Sequence, residues 1–237
     1  MKIKEKVSLI AKKLKAQYGH SAEKPNVFNT DKRTVAGEQS DPLDGLIETI
    51  LSQQSPIAST QRMANALFTK YPTWDKALKE GLDDIEATLK EARGNLTKSK
   101  AGYIFGILTK LKNERKELSL NFLRSYEPVD AKKYLLALNG VGPKTASCVM
   151  LFNLQLPSQP VDTHIFRIAQ RLDFVTDKFK PAEVETWFEE NLLKNWQTHY
   201  EFHLNMIEHG MNTCKAQNPK CDSCVLNKLC PSADTKE

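Results

Sequence analysis

Leu138-Asn139-Gly140-Val141-Gly142-Pro143-Lys144-Thr145-Ala146 is the stretch from which the chain is best read. Upstream of it, Asp130 is placed to cap a short helix with Tyr134, Leu135 and Leu138 at its apolar positions. The two glycines permit the positive φ and close backbone approach of a tight hairpin. Pro143 suits the first position of a second helix, predicted to run to about Leu154. The product is helix, glycine hairpin, helix. Backbone N–H groups around Gly140, Val141, Gly142 and Thr145 then face outward at a helix N-terminus, where an anion such as a phosphate is favoured.

Lys144 stands in the first turn of that second helix. The positive end of the helix dipole disfavours its ammonium form, and partial desolvation would act in the same direction. A lysine that is neutral part of the time attacks carbonyl-like carbon, as in Schiff-base enzymes. A solvated lysine touching phosphate is the plainer alternative. Eighteen residues on, Asp162 opens Val161-Asp162-Thr163-His164-Ile165-Phe166-Arg167 ahead of a helical pattern through Ala169 and Leu172. It is a natural N-cap, and a cap is compatible with a catalytic carboxylate.

The chain of 237 residues has room for one large or two modest domains, and its net charge is +5. The surplus is uneven: Lys2, Lys4, Lys6, Lys12, Lys13 and Lys15 face only Glu5 in the first helical segment. Such a balance fits a polyanionic partner. No run of about eighteen apolar residues suggests a membrane span. The first residues read as an amphipathic helix rather than an export signal, so a cytoplasmic protein with reduced thiols is expected.

Helical periodicity dominates from end to end. It is predicted for Ile3 to Tyr18, from Asp41-Pro42 through Leu51, from Ser55-Pro56 to Tyr71, and in two short pieces near Trp74 and Leu82. Residues 20 to 40 read as a connector. Arg93-Gly94-Asn95-Leu96-Thr97 interrupts the pattern before a helix carrying Ala101, Ile104, Leu108 and Leu111. After Asp162 it resumes in three more segments. No two-residue alternation bounded by turns suggests a sheet, so the fold class is all-α. His199 and His203, with Glu201 between them, do not form the HExxH zinc pattern and read as packing or surface residues.

Cys214, Cys221, Cys224 and Cys230 give C-x6-C-x2-C-x5-C. Four thiolates so spaced can close on one metal centre if the backbone loops round it. Spacing alone leaves zinc and an iron–sulfur cluster level, with disulfides behind both. Cys148, inside the second hairpin helix, reads as a small buried apolar residue.

Over roughly residues 40 to 231 the chain resembles the endonuclease III family of helix-hairpin-helix DNA glycosylases. The resemblance lies in LxGVGxKTA, VDTHIFR and the cysteine spacing occurring together in register. It implies a two-domain fold. Residues 1–37 would supply an N-terminal helix and connector packing with the iron–sulfur domain, 38–155 a six-helix barrel holding the hairpin, and 156–237 a helical domain with the cluster loop. It implies Lys144 as the Schiff-base nucleophile, Asp162 as the catalytic carboxylate, and Cys214, Cys221, Cys224 and Cys230 as ligands of a [4Fe–4S] cluster. The implied partner is double-stranded DNA with a damaged base or an abasic site, engaged by a monomer. Leu51-Ser52-Gln53-Gln54 matches the family's LSxQ segment, so Gln54 would fill the gap left by an extruded nucleotide. Arg167, Lys215 and Lys220 would contact the DNA backbone.

The implied activity is a bifunctional DNA glycosylase and AP lyase, with oxidised pyrimidines as the default substrate. Three positions depart from the family pattern: Asn139 in place of a proline, Ile57 in place of an aspartate, and Arg93-Gly94-Asn95-Leu96-Thr97 in place of an IGLY-type loop that wedges into the duplex. The alternatives are a monofunctional glycosylase acting on thymine or uracil opposite guanine or on 5-methylcytosine, and a non-catalytic damage-binding module.

Overall fold

A computed structural model of the chain describes residues 2–22 and 41–233. Among the described residues all regular structure is helical, in agreement with the all-α reading. None of these helices is long and apolar enough to cross a membrane. The connector expected over residues 20 to 40 lies mostly outside the described residues. The chain divides into two compact units, one formed by residues 2–22 and 155–233, the other by 41–154.

The second unit is built round α2 (Pro42–Ser52), most of whose residues are buried. Asp41 caps it, accepting from Leu43 N, and Pro42 occupies the first helical position. α2 packs against α3 (Ile57–Lys70), α6 (Thr97–Arg115) and α8 (Pro143–Phe152). Contact with α8 is close because Gly45 lacks a side chain: a Cβ there would lie 2.0 Å from the Asn153 amide nitrogen. Two short helices, α4 (Trp74–Glu80) and α5 (Leu82–Glu91), complete the packing around α3 and α6. The Trp74 indole donates to the buried Asp44 carboxylate at 2.6 Å.

α7 (Pro128–Leu136) begins earlier than the sequence suggested. Asp130 is not its cap but lies in its first turn, with Glu127 at the N-cap and Pro128 at the first helical position. The proline fixes φ and places the start two residues upstream of the aspartate.

In the first unit, α1 (Ile3–Tyr18) buries Val7, Ile10 and Leu14 and ends at Gly19, whose φ of +74 suits glycine at a helix C-terminus. It packs on α10 (Pro181–Asn191) and α11 (Trp196–Asn212), and both of these pack on or beside α9 (Thr163–Arg171). The core joins Ile165, Ile168, Phe188, Phe202 and Met206 to Leu226 of the cysteine loop. His199 and His203 are buried in this packing, the latter with Nδ1 against the Pro160 carbonyl at 3.0 Å.

Candidate nucleic-acid interface and metal centre

The hairpin is shaped by one glycine more than by two. Gly140 has φ +76, and a Cβ on it would meet the Tyr103 ring of α6 at 2.3 Å. Only glycine both adopts this conformation cheaply and clears the ring. Gly142 has φ −90 and extended backbone, so the positive φ expected of it is absent. A Cβ there would meet nothing within 4 Å. Its bare face points into open space, where a close-approaching ligand would benefit from it.

α8 starts at Pro143 with no side-chain cap, so its first-turn N–H groups are left to another acceptor. Gln53, which the sequence reading passed over, ties the turn down. Its amide Nε2 donates to Gly140 O at 3.0 Å and to Thr145 Oγ1 at 3.1 Å. Thr145 and Val141 have buried side chains, and the Val141 N–H is spent on Leu138 O at 3.2 Å, so of the two it is Thr145 that a ligand reaches through its backbone. Lys144 is exposed in the first turn of α8. Cys148, one turn further on, is half-buried rather than buried.

Asp162 caps α9, its Oδ1 accepting from Ile165 N at 2.8 Å. The other carboxylate oxygen makes no hydrogen bond among the described residues, so capping leaves half the group free for chemistry. Arg167, expected at the DNA backbone, is instead spent within its own unit. Its guanidinium donates to Cys214 O at 2.8 and 3.0 Å and to Gly210 O at 3.0 Å, and it also meets His164 Nδ1. It is a strut for the start of the cysteine loop.

At the far end of α2, Gln54 is exposed with φ +50, and Leu96, 48% exposed, has φ +52. The two segments are joined by Lys100, whose stem is buried in α6. Its ammonium donates to Leu51 O at 2.9 Å, Ser55 Oγ at 2.5 Å and Asn95 Oδ1 at 3.2 Å. Asn95 in turn donates from Nδ2 to Gln54 O at 2.6 Å. Burial with no carboxylate in contact holds the Lys100 pKa below the usual lysine value. The sequence carried a signal for this residue: position 100 falls on the same face of α6 as Ile104, Leu108 and Leu111.

Cys214, Cys221, Cys224 and Cys230 line one cavity with Ile168 and Leu172 of the core. Arg171, also unanticipated, donates to Cys214 Sγ at 3.3 Å and to the carbonyls of Lys215 and Ala216. Leu226 N lies 3.3 Å from Cys224 Sγ. Burial pushes the Cys224 and Cys230 thiols up, and the neighbouring cysteines add to the effect. Four ionised sulfurs in such a place need a cation of their own. Four thiols round one cavity, with N–H donors aimed at sulfur, fit an iron–sulfur cluster. Lys215 and Lys220 are exposed on this loop.

With this geometry in hand, comparisons with known proteins agree on one family. Residues 47–194 match the model of the HhH-GPD superfamily base excision DNA repair proteins, and residues 214–230 match the iron–sulfur binding domain of endonuclease III. Endonuclease III of Rickettsia felis is 34% identical over 185 residues, covering 78% of this chain and 80% of that protein. An Arabidopsis thaliana protein described by name as a DNA glycosylase is 41% identical over 138 residues, 58% of this chain, but the chain spans only 46% of its length. A solved structure of a trapped endonuclease III–DNA covalent intermediate superposes with TM-score 0.75 at 26% identity, covering 98% of each chain. The chain belongs to the HhH-GPD superfamily of base excision DNA repair proteins, as an endonuclease III-type DNA glycosylase with an iron–sulfur domain.

Proposed function

We propose that the protein binds duplex DNA containing a damaged base or an abasic site, releases the base and cuts the strand by a lysine Schiff base. The observation that carries this reading is Lys144, exposed in the uncapped first turn of α8 directly after a hairpin held rigid by Tyr103 and Gln53. A phosphate on the first-turn N–H groups and against the bare face of Gly142 would fix the strand beside the amine. Trapping of an endonuclease III on DNA as a covalent intermediate supports such chemistry for the family.

A base inside the helical stack is out of reach, so the nucleotide is extruded at a cost of a few kcal/mol, about the smallest for a lesion. Gln54 fills the vacated space, and Leu96, an exposed apolar residue at a loop tip, parts the neighbouring bases. The Lys144 amine attacks the sugar C1′ and the base departs with the bonding electrons, taking up a proton. The free oxygen of Asp162 stabilises positive charge developing on the sugar. Ring opening gives an imine between Lys144 and C1′. The imine acidifies the C2′–H bond; loss of that proton expels the 3′ phosphate by β-elimination, and water later releases the lysine.

We assign the four cysteines to the iron–sulfur cluster, whose cationic charge would hold four thiolates together. This chain's own contribution there is the brace of Arg167 and Arg171, which fixes the loop presenting Lys215 and Lys220. An oxidised pyrimidine is the substrate we assign.

Borohydride trapping on a duplex with an abasic site tests the reading. A covalent adduct should form with the native protein and vanish in Lys144→Gln, while affinity for the same duplex changes by less than about tenfold, since one phosphate-range charge is lost. An adduct of undiminished yield in Lys144→Gln would overturn the assignment of the nucleophile.

A further inference from the structure

We propose that Lys100 is a positioning residue that fixes Gln54 and Leu96 as one rigid two-pronged probe of the duplex. The inference deepens the proposed function, on which it rests for the roles of the two prongs.

A buried lysine in an all-helical protein usually meets a carboxylate. Lys100 meets none of the kind: each of its three N–H donors has a neutral oxygen, one on Leu51, one on Ser55 and one on Asn95. The first bond is an ordinary helix C-terminal contact, a cation on the last carbonyls of α2. The other two are not. Ser55 Oγ lies 2.6 Å from Asn95 Oδ1, which Lys100 also engages, and the same amide turns its Nδ2 to Gln54 O. Ammonium, hydroxyl and amide therefore form one closed polar network. It spans the turn after α2 and the loop before α6, each of which carries an exposed side chain on a left-handed backbone, Gln54 in one and Leu96 in the other.

That backbone is costly for residues other than glycine, and Gln54, Arg93 and Leu96 all adopt it. Strain gathered in two facing segments, held by a buried charge with no counter-ion, is a poor way to gain stability. It is a good way to hold two side chains at a fixed separation. The loop is pinned from its other side by Arg62, which donates to Ala92 O, and by Gly94, where a Cβ would meet the Met63 sulfur at 2.4 Å. Its remaining freedom is at Asn95 and Leu96, which the lysine network removes.

The test compares trapping on two probes, an abasic site in a duplex and the same site in a single-stranded oligonucleotide. Only the duplex has a gap to fill. Lys100→Met keeps the stem and loses the three donors. It should trap the duplex roughly tenfold more slowly relative to the single strand, the order expected for releasing charge-assisted hydrogen bonds. Gln54→Ala should show the same selective fall, and adding Lys100→Met to it should change little further, since both act on one probe. Equal slowing on both probes would reduce Lys100 to a fold determinant, and an unchanged ratio would remove its role; either overturns the inference. If Lys100→Met does not fold, Asn95→Ala reads the same ratio through the next link of the network. Native protein that traps neither probe would instead overturn the proposed function and the inference with it.

Discussion

The hairpin at residues 138–146 and the cysteine loop at 214–230 are both irregular, and each must hold a few atoms in fixed places. They do so by opposite means. The hairpin is closed by its own unit: Tyr103 lies against Gly140, and Gln53 bridges Gly140 O to Thr145. Its turn is held without a ligand, and what it leaves open is the uncapped first-turn N–H groups of α8, the bare face of Gly142 and the Lys144 side chain. The cysteine loop is braced on one side by Arg167 and Arg171, which reach Cys214, Lys215 and Ala216. Its other side faces a cavity lined by four thiols, of which burial pushes Cys224 and Cys230 up. One segment is complete before its partner arrives; the other requires the cluster to finish it.

Removing the cluster should therefore separate the two regions most sharply. Structural metal sites contribute binding free energy on the order of 10 kcal/mol to folding. Oxidative loss of the cluster should abolish amide protection across 214–230 and weaken it at Leu226 in the core. Protection of 140–146 should persist, as hydrogen exchange read by mass spectrometry would show. Simultaneous loss at both segments would break the comparison, since the hairpin would then depend on the same cofactor.

The next test is within the hairpin. Gly140→Ala forces a left-handed alanine and a clash with an aromatic ring, a cost of about 3 kcal/mol in thermal or denaturant melting. Gly142→Ala, with open space around it and φ −90, should cost less than about 0.5 kcal/mol. The order should invert for duplex binding per folded molecule, because a methyl at Gly142 stands where a phosphate would approach. Equal destabilisation by the two would show that Gly142 has a packing role.

How much of this was legible in the sequence follows the range of the interactions. Pro143 at a helix start, Asp162 as a cap and Gly19 as a terminator are local, and local spacing shows them. The start of α7 was misread because Asp130 drew the cap to itself, although Glu127-Pro128 carries the stronger backbone constraint. Gly142 and Gly140 look alike in sequence; what distinguishes them is Tyr103, thirty-seven residues before Gly140. Arg167 was taken for a DNA contact because a charge beside a catalytic motif invites it, whereas its partners are carbonyls forty-three and forty-seven residues away. The cysteine spacing announced a metal centre, and nothing local announced the arginines that hold it. Lys100 was the exception. A lysine on the apolar face of a helix is visible in the pattern, though its three acceptors are not.

A smaller effect than that of Gly140→Ala is expected at Gln53, the hairpin's equivalent of the arginine brace. Gln53→Ala leaves Gly140 O and the Thr145 hydroxyl without their donor, but the site is only half-buried and water can reach part of it. The cost in a denaturant titration should be about 1 kcal/mol. Affinity for an abasic duplex should fall with it, because a loosened hairpin pays to order its N–H groups at the moment of binding. The salt dependence should not change. The slope of log affinity against log salt counts phosphates neutralised by cations, and Gln53 carries no charge. Lys144→Gln removes a cation at the same hairpin and should flatten that slope by about one phosphate. A Gln53→Ala slope that fell as far would mean that the turn displaces Lys144 when it loosens, so that the hairpin depends on its brace as fully as the cysteine loop does.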